Sequence, residues 1–181
     1  MNPAGLSHIS LGADAQSRFA GRKYHAAVTL LYFAYGSNMD PAHMAQRVPS
    51  ARPVGPGRLD GFRLEFNVYS TEWGGGAANL ELDEKAHVWG VLWEVPEEAS
   101  AGLDAFQGHP TFFRREEISV QGPEGPVIAW TYRVAHQKGY VRPTDAYVHR
   151  LRSAIRVHGL PPEALEDVDR AAGPPTPSIS T

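Results

Sequence analysis

The 181-residue chain contains no cysteine, and that absence excludes disulfides, thiolate nucleophiles and thiolate metal sites together. It does not fix the compartment. Also missing is any apolar run approaching the ~18 residues that a bilayer-spanning helix requires, so no membrane partner is expected. The first 27 residues lack the continuous apolar stretch of a secretory signal as well. They carry Arg18, Arg22 and Lys23 against the acid Asp14, a faint likeness to an organelle transit peptide. They are read instead as an unstructured extension, residues 1–27, or the product of an upstream start codon, on a cytoplasmic protein. Charge of one sign is scarce too. Lys and Arg number 17 and are scattered among 20 Asp and Glu, for a formal net charge of -3. Nucleic-acid binding calls for clustered basic residues, so no nucleic-acid partner is expected.

What is there fits an ordinary globular domain: 42% hydrophobic and 20% charged residues, enough length for one sizeable core and little room for a second. The domain is expected over residues 28–172, followed by a Pro-, Ser- and Thr-rich tail at 173–181 that reads as disordered. Val28 to Phe33 is a β-branched and aromatic run, the pattern of a strand buried on both faces. Pro53 to Gly57 reads as a turn-rich connection, and Arg58 to Ser70 alternates as a half-buried strand does. Ala77 to Leu82 and His87 to Val95 read as two strands joined by a polar turn at Asp83-Glu84-Lys85, with a close backbone approach expected at Gly90. Glu97 to Phe106 has helical spacing, with Ala99, Leu103 and Phe106 on one face and Gly108 at its end. Phe113 to Val120 and Val127 to Val134 read as an antiparallel pair. From Thr144, residues Tyr147, Leu151, Ala154, Ile155 and His158 share a helical stripe that stops at Gly159, and a short helix follows at Pro162 to Ala171. The expected class is α+β, a small mixed β-barrel with packed helices.

The strand around which the chain is organised runs without a spacer into Tyr35-Gly36-Ser37-Asn38. Glycine lets a ligand approach the main chain, Ser37 and Asn38 supply short donors and acceptors, and Asp40-Pro41 reads as an N-cap and first helical residue. Backbone N–H groups at such a helix start favour an anionic group such as a carboxylate. The plain alternative is a tight strand-to-helix turn with no ligand. The segment Glu72-Trp73-Gly74-Gly75-Gly76 is too glycine-rich for regular structure and suits either a fold over a pocket or a flexible hairpin connection.

These blocks resemble the γ-glutamylcyclotransferase family. The likeness runs through YGSN at 35–38, Arg58 to Phe66, Trp73 to Ala78, Val88 to Trp93, Leu103 to Gly108, Pro143 to Tyr147 and Gly159-Leu160-Pro161, in the family's order. The resemblance implies the small mixed barrel and an activity: the α-amine of a γ-glutamyl amide attacks its own γ-carbonyl, releasing 5-oxoproline and an amine. It implies no water, metal or cofactor in that step. The implied partner is a small γ-glutamyl amide or related acyl-amino compound, with a homodimer as the assembly to test. Substrate grip is assigned to Tyr32, Phe33, Ala34, Tyr35, Gly36, Ser37 and Asn38, with a further contact from Tyr147.

The family's proton shuttle is a glutamate in a Leu-Asp-x-x-Glu-Gly block, which here reads Leu103-Asp104-Ala105-Phe106-Gln107-Gly108. Gln107 keeps the shape and hydrogen-bonding reach of a carboxylate but accepts no proton near neutral pH. Three accounts stand. The chain retains the pocket as a non-cyclising relative that binds γ-glutamyl-like ligands or catalyses different acyl or amide chemistry there, it has moved the base elsewhere, or the change is a substitution made to trap a substrate. For a moved base the nearest candidate in sequence is His109, against its plain reading as an exposed loop histidine before Pro110. Asp104 reads as a helix-end hydrogen-bonding residue, and Glu65 and Glu81 lie on strands that can face the cavity or solvent. A G-x-S-x-G elbow is absent, His149 and His158 are badly spaced for a shared metal, and Phe112 to Arg115 reads as a strand edge.

Overall fold

The computed structural model describes residues 28–134 and 139–173. The extension assigned to residues 1–27 lies outside the described residues, as does the tail beyond residue 173. In chain order the elements are β1 (Thr29–Ala34), α1 (Pro41–Arg47), β2 (Arg52–Ser70), β3 (Gly75–Pro96), α2 (Ser100–Gln107), β4 (Phe113–Gly122), β5 (Gly125–Val134), α3 (Asp145–Val157) and α4 (Pro162–Ala172). Single 3-10 turns at Ser37–Met39 and Glu97–Ala99 lead into α1 and α2. Among the described residues no helix is long and apolar enough to cross a membrane.

The strands close in the order β1-β3-β2-β4-β5, the small mixed barrel expected. Its seams are narrow. β1 runs parallel to β5 at Tyr32 opposite Trp130, and β2 meets β4 at Arg58 opposite Gln121. The β2–β3 ladder is long and antiparallel, broken by irregularities after Pro53, Asp60 and Phe66. Such bulges bend a strand and raise its twist, which a barrel of few strands needs.

Two expected connections are strand instead. Pro53 to Gly57 belongs to β2, with Pro53 opposite Trp93 and Pro56 opposite Val91. Proline is tolerated because Val54 sits in a bulge and the other edge of β2 pairs with β4 only at Arg58. Asp83 to Lys85 likewise interrupts no strand: β3 continues from Gly75 to Pro96, and the polar residues fall in the wide irregularity facing Gly61. Local turn chemistry is present there, since the Asp83 carboxylate accepts the Lys85 N–H at 3.1 Å, but the flanking ladder carries the strand through.

The barrel core holds Phe33, Phe66, Leu80, Leu92 and Val120, all essentially inaccessible. At Gly90, β1 lies close against β3. A Cβ there would stand 2.4 Å from the Ala34 carbonyl and 2.7 Å from the Phe33 ring, so the expected close approach is realised. Outside the barrel, α3 buries the expected stripe of Tyr147, Leu151, Ala154 and Ile155, with Val148 beside it. Thr144 caps it by accepting the Tyr147 N–H, and Gly159 leaves it at a φ of +63°, a left-handed conformation that a residue with a Cβ resists. α4 packs on α3 and on β2.

Candidate active site

A cavity of about 790 Å³ opens where β1 ends. Its walls come from the loop after β1, the 70–73 turn between β2 and β3, the end of α2, β5 and α3. Of the residues assigned to substrate grip, Tyr32, Tyr35, Gly36, Ser37, Asn38 and Tyr147 line it, and so does Gln107. Phe33 and Ala34 do not. Alternation along β1 sends Phe33 into the barrel, and Ala34 is sealed against Gly90, so neither offers a ligand any surface.

The loop is fixed from several sides. Met39 and Asp40 donate their N–H groups back to the Gly36 and Ser37 carbonyls, at 2.9 and 3.1 Å. Asp40 caps α1 by accepting the His43 N–H at 2.8 Å, as expected, and also pairs with Arg150 at 3.3 Å. The helix start is therefore served by the protein's own carboxylate. Arg47, on the next turn of α1, donates to the Asn38 side-chain oxygen at 2.7 Å, and the Asn38 amide donates to the Tyr32 hydroxyl at 2.9 Å. A charged donor at the head of this chain strengthens it and orients the Tyr32 hydroxyl.

The Tyr147 hydroxyl accepts the Ala78 N–H at 3.2 Å and is hydrogen-bonded by the Ser37 backbone. With its oxygen held that way, its own proton is left to donate to a ligand. Burial pushes the Tyr147 pKa up, against the pull of those two backbone groups. Tyr32 is pushed up to about 12, by burial first, with Asn38 and Arg47 opposing. Tyr35 is raised by burial and donates to the Tyr132 carbonyl. Tyr132 is raised by burial and by the Asp104 carboxylate that accepts its proton. These phenols all stay protonated at neutral pH. They are donors, not bases.

His109 stands outside the cavity lining. Its Nδ1 accepts the Arg115 N–H at 3.2 Å, so the local turn after α2 employs it structurally. Glu65 and Glu81 are not among the lining residues either: both pair with Arg63, and Glu81 also accepts from the amide of Asn67, a lining residue, at 3.3 Å. Asp104 holds Tyr132 and Arg115, in keeping with the helix-end role expected for it. Phe106, expected on the buried face of α2, is about half exposed; it lines the cavity and carries the Arg47 guanidinium over its ring at 3.4 Å.

The turn at 71–74 carries Glu72 and Trp73 into the cavity wall, the pocket-covering role expected, but Gly75 and Gly76 are regular structure after all, opening β3 opposite Ser70 and Tyr69. The turn is anchored at its C-terminal end. The Gly76 N–H donates to the Arg142 carbonyl at 2.8 Å, and a Cβ on Gly76 would meet the Val141 carbonyl oxygen at 2.0 Å. Trp73 packs its ring 4.8 Å from Tyr147 and 5.5 Å from His43. Reasoning from sequence missed His43 and Arg47; their signal was the spacing of four on α1 just after the loop, which puts both on one helix face. Among the described residues no group of three or more metal-ligating side chains is present.

The chain matches the family model described as gamma-glutamyl cyclotransferase, AIG2-like, over residues 32–149. It is 30% identical to the gamma-glutamylcyclotransferase of Mus musculus over 157 residues, 84% of each chain. It is 29% identical to that of Homo sapiens over 143 residues, 76% of each. A solved gamma-glutamyl cyclotransferase superposes with a TM-score of 0.76 at 28% identity, over 85% of this chain and 93% of that one. With the loop, the tyrosines and the barrel in this arrangement, the chain belongs to the gamma-glutamyl cyclotransferase, AIG2-like family.

Proposed function

We propose that the cavity holds a small γ-glutamyl amide folded back on itself, so that the substrate's α-nitrogen attacks its own γ-carbonyl carbon. A new C–N bond forms as the carbonyl π pair moves to oxygen. Collapse of that oxyanion breaks the original amide C–N bond and yields 5-oxoproline and an amine. Two protons leave the attacking nitrogen and two arrive at the departing one, so none is consumed overall. The observation that supports this reading is the meeting of the Tyr35–Asn38 loop, Tyr147 and position 107 on one cavity.

Holding the reacting atoms together is the larger part of the task, since effective molarities for well-oriented intramolecular attack reach about 10⁵ to 10⁸ M. Tyr147 and Tyr32 offer phenol donors, and the Tyr35–Asn38 segment offers a close main-chain approach at Gly36. Gln107 binds through its carbonyl oxygen, to which an α-ammonium can donate, but transfers no proton. Incubation with a γ-glutamyl dipeptide, followed by mass detection of 5-oxoproline, tests the reading. Product is expected. No product and no thermal stabilisation by the dipeptide would reject it.

Gln107 supports a second reading, a relative that binds γ-glutamyl-like ligands without cyclising them. Its signature is dipeptide-dependent stabilisation with no 5-oxoproline, abolished by Ser37→Trp.

A further inference from the structure

With an amide at position 107, the proton has to be handled elsewhere, and among the described residues Glu72 is the only carboxylate lining the cavity. The other titratable side chains described there are tyrosines. Glu72 does not stand alone. Its Oε1 lies 3.1 Å from Nε2 of His43, and Nδ1 of His43 lies 3.2 Å from the Ser37 carbonyl oxygen. His43 is nearly inaccessible, whereas the Glu72 side chain is 42% exposed at the cavity edge.

Both ring nitrogens of His43 therefore face acceptors. A neutral imidazole has one N–H, so in either tautomer one of the two contacts sets lone pair against lone pair. An ionised carboxylate brings no proton to relieve it. The Ser37–His43–Glu72 chain is one proton short in that state and complete once it has taken one up. The feature is that of a general base with a relay behind it.

Resting on the cyclotransferase reading above, we propose that Glu72, backed by His43, is the acid/base of this chain, standing in for the carboxylate that position 107 lacks. Glu72 accepts a proton from the substrate's α-ammonium, and the freed lone pair forms the C–N bond as the carbonyl pair moves to oxygen. Glu72 passes that proton to the departing nitrogen as the old C–N bond breaks, and the second proton of the attacking nitrogen follows by the same route to the released amine. His43 is a positioning residue that shares the proton while Glu72 holds it.

The surroundings bear on when the relay is empty. Burial, and next the Arg47 guanidinium from α1, push the His43 pKa down, against the opposing pull of Glu72 and the Ser37 carbonyl. Arg47 also pairs with Glu72 at 3.4 Å. From α3, Arg150 lies over Trp73 and Tyr147 contributes a neutral phenol; from β1, Tyr32 contributes another. Two other carboxylates lie near the cavity without lining it: Asp104 is committed to Tyr132 and Arg115, and Glu81 to Arg63 and the Asn67 amide.

The test is 5-oxoproline release from a γ-glutamyl dipeptide by the full chain and by Glu72→Gln, His43→Gln, Gln107→Glu and the double variant Glu72→Gln/Gln107→Glu. The expected result is a loss of about 10² to 10⁴-fold in kcat for Glu72→Gln with KM changed far less. His43→Gln should retain part of the activity with its acid limb displaced in the pH profile. Recovery in the double variant would show that the cavity is folded and lacks only a carboxylate. Wild-type activity that survives Glu72→Gln within about threefold would overturn the proposal and leave the cyclotransferase reading standing. So would a wild-type chain that is stabilised by the dipeptide, releases no product and gains activity only on Gln107→Glu. A chain neither stabilised nor active, with or without Gln107→Glu, sinks both. If Glu72→Gln melts much earlier than wild type, the recovery arm of the double variant decides between lost chemistry and lost fold.

Discussion

The Tyr147 hydroxyl accepts the N–H of Ala78 at 3.2 Å, joining the first turn of α3 to β3 at the cavity wall. One oxygen thus satisfies a buried backbone donor and fixes a phenol proton for a ligand. Tyr147→Phe removes both services. Leaving a buried N–H unsatisfied costs about 1–3 kcal/mol, so the urea midpoint should fall accordingly, and dipeptide-dependent stabilisation should shrink with it. An unchanged dipeptide response would place Tyr147 outside ligand recognition.

Gly76 is the tightest point under the 71–74 turn. Adding one methyl brings carbon to 2.0 Å from the Val141 carbonyl oxygen, far inside contact, and backbone on both sides cannot swing away as a flexible side chain would. Gly76→Ala should cost at least the ~1–3 kcal/mol typical of overpacking. A thermal melt checks the stability. Dipeptide binding should weaken too, because the displaced segment carries Glu72 and Trp73.

Arg47 serves three partners at once: Asn38, Glu72 and the Phe106 ring. A planar guanidinium can do this and an ammonium cannot. In Arg47→Lys the charge survives but the Asn38–Tyr32 chain loses its head or Phe106 loses its cover. A charge-assisted hydrogen bond is worth about 1.5–3 kcal/mol, so KM for the dipeptide should rise on the order of tenfold or more. An unaltered KM would count against the orienting role given to this chain.

Two histidines, His43 buried and His158 partly buried, make stability depend on pH. Burial pushes His43 below its usual 6.5, with Arg47 adding to the effect, and burial does the same to His158, whose Nε2 lies 2.8 Å from the Met39 carbonyl oxygen. The unfolded chain then binds more protons than the native one as pH falls below 6.5. Stability from these groups is present above that value and is lost as pH drops toward their folded pKa values. Urea midpoints measured on either side of 6.5 should decline on the acid side, and His158→Gln should flatten the decline. A midpoint insensitive to pH across that range would contradict the shifts.

Local signals in the chain carried through well. Asp40 and Pro41 start α1, Thr144 and Gly159 bound α3, Gly108 ends α2, and the apolar stripe of α3 is the buried one. Each depends on chemistry within a turn or two of helix. What misled was local evidence that long-range pairing overrode. Turn-forming residues at Pro53 to Gly57 and Asp83 to Lys85 sit inside strands because the ladder on either side continues through their bulges. Phe106 has the spacing of a core residue, yet the guanidinium of Arg47 covers it from a different helix.

The site divides along the same line. Sequence alone determined that a YGSN loop follows an apolar strand, that no thiol is available, and that an amide occupies position 107, because these are statements about residue identity and order. The tertiary fold alone decided that Phe33 and Ala34 turn away from the cavity and that His109 serves a local turn. It also decided that Glu72 meets His43 across 29 positions of chain. The reason is physical. Side-chain period and capping are set by neighbours in sequence, whereas a shared proton needs two groups about 3 Å apart, and only closure of the barrel brings that turn onto α1.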